Sequence, residues 1–345
     1  MTIARGKIHA ADAVPFDDSH AIGYCAREFG ASRARAESQC GFAGNTECGV
    51  RDGGELALIG NDMSALGNII STSGRRALFE ARRMARVPRA MPDFILIGAQ
   101  KSGTSSMFAY LKQHRQIVRP VFKELYYFDR HYHRGLDWYG CNFPARSAIA
   151  RRNDRNGRRH LTFEATATYI FDAQVPGRIA QDIETRKFIV LLRNPVDRAI
   201  SAYWHARRMG RETRSLDEAL KIDRDRYEAE RAFEEGRGPE PAGAPPRPAY
   251  LRRGIYHEAV ARWQHVFPPE NLLVLQSEIM FADPAAIMAR VFTFLDLPPA
   301  DGIDFAPQNV GRYDGSDADA RQALAEFYRP HNEKLNAMTR NALDW

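Results

Sequence analysis

The stretch FILIGAQKSGTSS, residues 94–106, decides the fold because a strand, a turn and the start of a helix follow one another within it. Its first four residues are apolar and predict a short strand that is buried on both faces. A glycine-containing turn covers residues 98–103. Residues 104–106 then begin a predicted helix, and the apolar residues that follow are spaced to form one side of it.

This arrangement predicts a cradle for a phosphate-like anion. The start of a helix offers unpaired N–H groups and the positive end of its dipole, and Lys101 adds a full charge. The nucleotide-binding pattern GxxxxGK[ST] places its lysine after the second glycine, whereas Lys101 precedes Gly103. The turn therefore departs from that pattern, and an ordinary strand-to-helix turn is the alternative interpretation.

Length and composition indicate an ordinary globular protein of 345 residues, with 44% hydrophobic and 27% charged residues. The net charge is +6 and the pI is about 9.2. A basic balance fits anionic ligands, but it also fits an arginine-rich chain with solvated helix faces.

Nothing in the sequence predicts secretion or a membrane helix. The first residues contain no signal-peptide core, and no window approaches the roughly 18 apolar residues of a membrane span. We therefore predict a cytoplasmic protein with reduced thiols. Its cysteines are Cys25, Cys40, Cys48 and Cys141, and they lack CxxC spacing. A zinc site formed by the first three is the alternative, and we expect no metal.

The chain divides into two parts in this interpretation. Residues 1–90 are predicted to be a partly irregular extension, with a helix near residues 75–87. Residues 91–345 alternate apolar strands with helices, which predicts one α/β domain with a parallel sheet covered on both faces. Residues 236–248, rich in glycine and proline, are predicted to be a surface loop.

Three segments, in this order, resemble the sulfotransferases that use 3′-phosphoadenosine 5′-phosphosulfate (PAPS). They are GAQKSGTSS at residues 98–106, FIVLLRNPVDRAISAYWH at 188–205, and LRRGIYHEAVARWQHVFPPENLLVL at 251–275. Within that family, the sequence resembles the glycan enzymes of heparan-sulfate N- and 3-O-sulfotransferase type. The resemblance implies an α/β, P-loop-like three-layer fold with a central parallel sheet flanked by helices. It also implies PAPS as sulfuryl donor, no metal, and no nucleic-acid partner.

The resemblance assigns roles to particular residues. It implies that Lys101 contacts the bridging oxygen, that Glu124 is the base and that His205 lies beside it. Arg193 and Ser201 resemble the pair that binds the 3′-phosphate. The third segment resembles the one that closes over the cofactor in the family. The other implied cofactor contacts are Ser102, Gly103, Thr104, Ser105 and Ser106 in the loop, Arg253, Gly254 and Tyr256 in the third segment, and Arg312.

Two departures weaken an assignment to heparan sulfate itself. Ala165 and Val310 stand where many relatives carry lysine. The predicted acceptor is therefore a carbohydrate or another small molecule with a hydroxyl or amine, and we expect residues 131–139 and 236–248 to border it. Lys123 is predicted to face solvent, with a position near the sulfuryl oxygens as the alternative. Glu164 is predicted to pair with a nearby arginine.

Other functions remain open at this stage. A P-loop-type kinase or NTPase is the enzymatic alternative, although the strand at residues 188–192 ends in Arg193 instead of a carboxylate. A non-catalytic nucleotide- or polyanion-binding protein is the other. In that case Glu124 would be a structural residue, paired with Arg119 or Arg130.

Overall fold

A parallel sheet forms the centre of the protein in the computed structural model, which describes residues 72–242, 249–308, 317–339 and 343–345. Its strands lie in the order β2-β3-β1-β4-β5, and each pair of neighbours runs parallel. In chain order the strands are β1 (Phe94–Gly98), β2 (Ile117–Val118), β3 (Leu161–Ala165), β4 (Lys187–Leu192) and β5 (Leu272–Gln276).

Helices connect these strands. In chain order they are α1 (Thr72–Ala85), α2 (Thr104–Leu111), α3 (Gly135–Gly140), α4 (Arg146–Asn156), α5 (Val175–Asp182), α6 (Pro195–Arg208), α7 (Leu216–Glu234), α8 (Tyr256–Val266), α9 (Ser277–Ala282), α10 (Pro284–Phe294) and α11 (Ala318–Met338). Short 3₁₀ turns cover Tyr132–Arg134, Tyr169–Phe171, Arg252–Gly254 and Pro269–Asn271. Residues Phe79–Trp345 form one compact unit.

Strands β1 and β4 are almost entirely apolar because both faces of the sheet are covered. Along β1, Ile95 and Ile97 enter one hydrophobic core, and Phe94 and Leu96 enter a second core on the opposite face. Successive side chains of β4 alternate between the same two cores. The predicted three-layer fold with a central parallel sheet is confirmed.

The topology brings the functional segments to one edge of the sheet. Strands β1 and β4 are neighbours, so the turn after Gly98 lies beside the residues that follow Leu192. Strand β5 pairs with β4 on the other side and ends at Gln276. Because parallel strands all end at the same edge, the cradle, Arg193 and the start of α9 lie together.

The remaining sequence predictions have mixed outcomes. The strands predicted at residues 94–97 and 188–192 are confirmed as β1 and β4, and the helix predicted near residues 75–87 is α1. Helices α3, α4 and α5 were not predicted. The division at residue 90 stays a prediction, since residues 1–71 lie outside the described part, as do Cys25, Cys40 and Cys48. Cys141 is a buried free thiol.

The described residues contain neither a membrane-spanning helix nor a cluster of metal ligands. Among them, no helix is both long and apolar enough to cross a bilayer. The same residues contain no group of three or more histidine, cysteine or carboxylate side chains placed to hold a metal ion.

Candidate active site

The turn after β1 is fixed by close packing. A Cβ atom on Gly98 would lie 2.5 Å from Cγ2 of Ile170, so only glycine fits there. Gly103 caps α2 with a φ of 88°, and a Cβ there would lie 2.8 Å from Cε of Met280. Lys101 itself has a φ of 73°. These contacts hold the turn in one conformation at the start of α2.

The hydroxyl groups of the loop are not equivalent. Ser102 and Ser106 are fully buried, and the hydroxyl of Ser106 accepts a hydrogen bond from the backbone N–H of Gln308 at 2.9 Å. Thr104 is also buried. Ser105 is half-buried and accepts a hydrogen bond from Lys123 Nζ at 2.9 Å. The hydroxyl of Ser105 therefore contacts the segment that carries Lys123 and Glu124, while Ser106 anchors the chain after α10.

Two arginines from distant segments reach the cradle. Arg193 Nη1 donates to the backbone oxygen of Lys101 at 3.4 Å, and Arg253 Nη1 donates to Oε1 of Gln100 at 2.6 Å. Both arginines and Lys101 are half-buried. The structure therefore concentrates three positive charges around one turn, as an anion site requires.

The turn that carries Arg193 is braced from three sides. Asn194 Oδ1 accepts from the N–H of Val196 at 3.0 Å and so caps α6. The N–H of Asn194 donates to Oε1 of Glu278 at 2.8 Å. The hydroxyl of Tyr256 donates to the backbone oxygen of Arg193 at 3.0 Å. Tyr256 is buried, and its hydroxyl supports the backbone of Arg193. That Tyr256 also covers the cofactor stays a prediction.

Three further predicted residues have different positions. Ser201 is buried on α6, two turns after Arg193. Gly254 is buried against α11, and a Cβ there would lie 2.5 Å from the hydroxyl of Tyr328. Arg312 lies outside the described residues. The roles of all three stay predictions.

Glu124 is tied to the cradle through its neighbour Lys123. Lys123 Nζ lies 3.1 Å from Oε1 of Glu124 while it also donates to Ser105. The hydroxyl of Tyr126 donates to Oε2 of Glu124. The prediction that Lys123 faces solvent is wrong, because the adjacent carboxylate and the start of α2 attract its charge. Arg130 stacks on the ring of Tyr126 instead of pairing directly with Glu124.

An unusual backbone presents this carboxylate. Glu124 and Tyr126 have φ angles of 59° and 55°, in the left-handed region that non-glycine residues rarely adopt. Each such residue costs about 1–3 kcal/mol, and such strain tends to cluster at functional sites. The backbone N–H of Glu124 donates to the oxygen of Ala165 at 2.7 Å, which holds the segment at the end of β3.

Electrostatics place Glu124, His205 and Lys101 in one cluster. Burial acts to raise the pKa of Glu124, but the charge of Lys123 and the hydrogen bonds from Tyr126 and Lys123 outweigh it and lower that pKa. Burial, followed by the charges of Lys101 and Arg208, lowers the pKa of His205 to about 4, and Glu124 opposes this shift. At neutral pH the site therefore contains a carboxylate, a neutral imidazole and a lysine ammonium.

A second, buried glutamate contacts the segment that follows Glu124 through the hydroxyl of Tyr169. Glu164 accepts hydrogen bonds from the hydroxyls of Tyr139 at 2.5 Å, Tyr169 at 2.6 Å and Thr166 at 2.8 Å. The hydroxyl of Tyr169 in turn accepts from the N–H of Phe128 at 3.2 Å. The predicted arginine partner of Glu164 is therefore wrong. The stretch ATATY, residues 165–169, contains Thr166 and Tyr169, but the sequence did not indicate that both would donate to Glu164 on β3.

We expect Glu164→Gln to change how stability depends on pH. Burial raises the pKa of Glu164 from 4.5 to about 7, so the folded protein keeps a proton that the unfolded chain loses between these values. Wild-type stability should fall as pH rises through this window, by about 3 kcal/mol in total. The glutamine variant should lack this decrease. Chemical denaturation at pH 5 and pH 8 measures the free energy of unfolding at each pH. An equal change in this free energy between the two pH values in both proteins would contradict the assignment.

The site was not fully predicted from sequence. Gln100, Lys123, Tyr126 and Glu278 all contact predicted site residues, but they were not assigned to the site. The one available signal was the position of Lys123 next to Glu124. The other three depend on contacts between segments that are distant in the chain or on the left-handed backbone.

Comparison with known proteins identifies the family. The sulfotransferase domain matches residues 91–306, more than half of the chain. The human bifunctional heparan sulfate N-deacetylase/N-sulfotransferase 3 is 29% identical in an alignment of length 285, which covers 72% of this chain and 30% of that protein. The chain thus matches under a third of the length of that relative.

Two other relatives are matched over more of their length. The membrane-associated sulfotransferase kil1 of Dictyostelium discoideum is 23% identical over 74% of this chain and 66% of its own length. The crystal structure of a sulfotransferase from Alicyclobacillus acidocaldarius is 28% identical, with a TM-score of 0.54 over 74% of this chain and 98% of that one. Together with the parallel sheet and the cradle, these matches show that the chain belongs to the sulfotransferase domain family.

Proposed function

We propose that the protein transfers a sulfuryl group from PAPS to a hydroxyl or amine of a carbohydrate acceptor. The observation that carries the proposal is the link Ser105–Lys123–Glu124, which joins a candidate base to the start of the cradle helix. Membership of the sulfotransferase family supports the reaction type. The heparan sulfate enzyme among its relatives supports a glycan acceptor.

The charges around the cradle fit a donor with two anionic ends. Lys101 and the N-terminus of α2 would hold the phosphosulfate, since both attract negative charge. Arg193, at the end of β4, and Ser201, on α6, would hold the 3′-phosphate. Arg253 reaches the same turn through Gln100, and we assign it to the donor as well. When bound, PAPS would supply the sulfuryl group, and the nucleotide with its 5′-phosphate would be the leaving group.

The side chains of the chain then have distinct roles. Glu124 is ionised at neutral pH and can accept the proton that the attacking hydroxyl or amine must lose. Lys101 stabilises negative charge that develops on the bridging oxygen. Lys123 bonds to both the cradle and Glu124, and so it positions the base relative to the donor. His205 is neutral and can orient the acceptor by hydrogen bonding, but it is too weakly basic to donate a proton at neutral pH.

The acceptor and the cellular location rest on the sequence. We assign the acceptor border to residues 131–139 and 236–248, of which residues 243–248 lie outside the described part. Ala165 and Val310 stand where many glycan enzymes carry lysine, so this protein has fewer positive charges for an anionic acceptor. We therefore propose a carbohydrate acceptor without naming heparan sulfate. A cytoplasmic location stays a prediction.

The alternatives fit the site less well. A P-loop kinase or NTPase is disfavoured by the family match, and Arg193 stands where a metal-binding carboxylate would follow the strand. A binding protein without catalysis would not need Glu124 near the cradle. The link through Lys123 places the carboxylate there, which favours an enzyme.

The two-phosphate assignment can be tested by calorimetry. We expect 3′-phosphoadenosine 5′-phosphate (PAP) to bind at least tenfold more tightly than AMP, since a charge-assisted phosphate contact contributes about 1.5–3 kcal/mol. Arg193→Ala should remove most of this preference, whereas Arg290→Ala, an exposed control on α10, should keep it. Equal affinity of the wild-type protein for PAP and AMP would contradict the assignment.

A further inference from the structure

A strongly basic surface lies outside the cradle. It consists of residues 80–89, at the end of α1 and after it, and residues 146–159, which are α4 and the turn that follows. These two segments contain ten arginines and two carboxylates, so their net charge of +8 exceeds the +6 of the whole chain. The two segments touch, because the N–H of Arg146 donates to the oxygen of Pro88 at 3.0 Å and Arg89 pairs with Ala145.

Most of this charge is uncompensated within the protein. In the described ranges, neither an ion pair nor a hydrogen bond is formed by the guanidinium groups of six of the arginines. They are Arg86, Arg146, Arg151, Arg152, Arg155 and Arg158, and all except the half-buried Arg152 are exposed. Asp154, the one carboxylate of α4, forms no ion pair with them. A helix that is solvated for solubility alone commonly alternates its charges at i,i+4 spacing, as α7 does with Lys221 and Asp225.

Two exposed apolar side chains lie in the same basic surface. Met84 is 80% exposed and Val87 is 43% exposed, although both are large and hydrophobic. Val87 immediately precedes Pro88, the residue that contacts the start of α4. Apolar side chains beside a cluster of arginines are typical of surfaces that bind at the lipid–water interface, where the charges meet anionic headgroups and the apolar groups enter the acyl boundary.

The position of the surface is compatible with catalysis at a membrane. Arg159 Nη2 contacts Asp93 Oδ1 at 2.9 Å, and these residues directly precede β3 and β1. The basic surface therefore adjoins the amino-terminal edge of the sheet, whereas the cradle lies at the carboxyl-terminal edge. Five-residue strands separate these edges by roughly 17 Å. The cradle therefore lies at the opposite edge of the sheet from Arg159.

From this juxtaposition we infer that residues 80–89 and 146–159 bind the surface of an anionic lipid bilayer. A polyanion such as a sulfated glycan is the competing partner. It would contact the arginines, but it would leave the exposure of Met84 and Val87 without a role. The bilayer uses both features, and the inference does not depend on the proposed sulfuryl transfer.

Cosedimentation of the full chain with vesicles tests this inference. We expect binding to vesicles of phosphatidylcholine with one quarter phosphatidylserine, and little binding to phosphatidylcholine alone. Binding should weaken between 0.15 and 0.5 M salt because the Debye length shortens. The triple variant R151E/R155E/R158E should reduce partitioning at least about tenfold. The control R115E/R290E/R329E makes the same charge change at other exposed arginines and should bind far more like the wild-type protein.

A second pair of variants separates the two partners. Met84→Ser with Val87→Ser should reduce vesicle binding about threefold or more and leave heparin binding unchanged. Unchanged thermal midpoints and PAP affinity would show that every variant is folded. The inference is overturned if the wild-type chain binds heparin but not anionic vesicles, if both vesicle types bind equally, or if the triple variant and its control lose binding to the same extent.

Discussion

Glu124→Gln should lower kcat by about 10²–10⁴-fold, the usual contribution of a positioned general base. Glutamine keeps the size of the side chain and can still accept the hydrogen bond from Tyr126, but it cannot take the acceptor proton. Affinity for PAP should change little. Steady-state rates with saturating PAPS, together with calorimetry of PAP, measure the two quantities separately.

The structural alternative for Glu124 predicts a different pattern. The ion pair with Lys123 is about a quarter exposed, so its loss should cost no more than about 1 kcal/mol of stability. Asp296→Asn removes an exposed carboxylate that pairs with Lys187 far from the cradle, and it serves as the matched control. If Glu124→Gln loses stability as the control does and keeps the wild-type rate, the carboxylate is not the base.

The pH dependence of the rate gives an independent check on Glu124. Its pKa is lowered from 4.5, so the carboxylate is ionised across the neutral range and becomes protonated only below that value. The rate should therefore be level near neutral pH and should fall as pH drops through the lowered pKa. His205 titrates in the same acidic region, at about 4. His205→Asn should preserve the acidic decrease if Glu124 causes it.

Lys101→Met should produce the second large effect. Methionine keeps the length of the side chain but removes the charge beside the bridging oxygen. We expect kcat to fall about 10²–10³-fold, as when a group that stabilises transition-state charge is lost. PAP affinity should fall about tenfold or more, because the same charge also attracts the bound phosphate.

A spectroscopic measurement tests the position of Lys101 without turnover. The charge of Lys101 is one cause of the low pKa of His205. In Lys101→Met the pKa of His205 should therefore rise toward its ordinary value, which an NMR titration of the imidazole would detect. Lys112→Met, on the C-terminal side of α2, provides a control with the same charge change. An unchanged His205 titration in Lys101→Met would show that the charge of Lys101 does not act on His205, which would contradict the proposed cluster.

The sheet and the cradle could be predicted from sequence because local signals specify them. Four consecutive apolar residues before Gly98 indicate a strand buried on both faces, and a glycine turn before a helix indicates an anion site. The same reasoning found α6, where Pro195 occupies the first turn of the helix and Asn194 caps it. Helix α4 was missed because it is highly polar and lacks a clear apolar stripe.

The details of the site could not be predicted because they depend on side-chain directions. Glu124 and Tyr126 adopt left-handed backbone angles that no local pattern indicates, and these angles turn both side chains toward each other. Likewise, Lys123 contacts Ser105 because the pairing of β1 with β3 brings their segments together. Glu278 reaches Asn194 because β5 pairs with β4, a long-range contact that spacing along the chain does not reveal.

The most direct test of the central claim is a transfer assay with PAPS labelled in its sulfuryl group. The full chain would be incubated with this donor and a panel of glycans and small phenols, and both labelled acceptor and released PAP would be measured. We predict equal amounts of the two products with at least one glycan, and loss of both in Glu124→Gln and Lys101→Met. Tight PAP binding with no labelled acceptor across the panel, or transfer of the γ-phosphate of ATP instead, would contradict the proposed function.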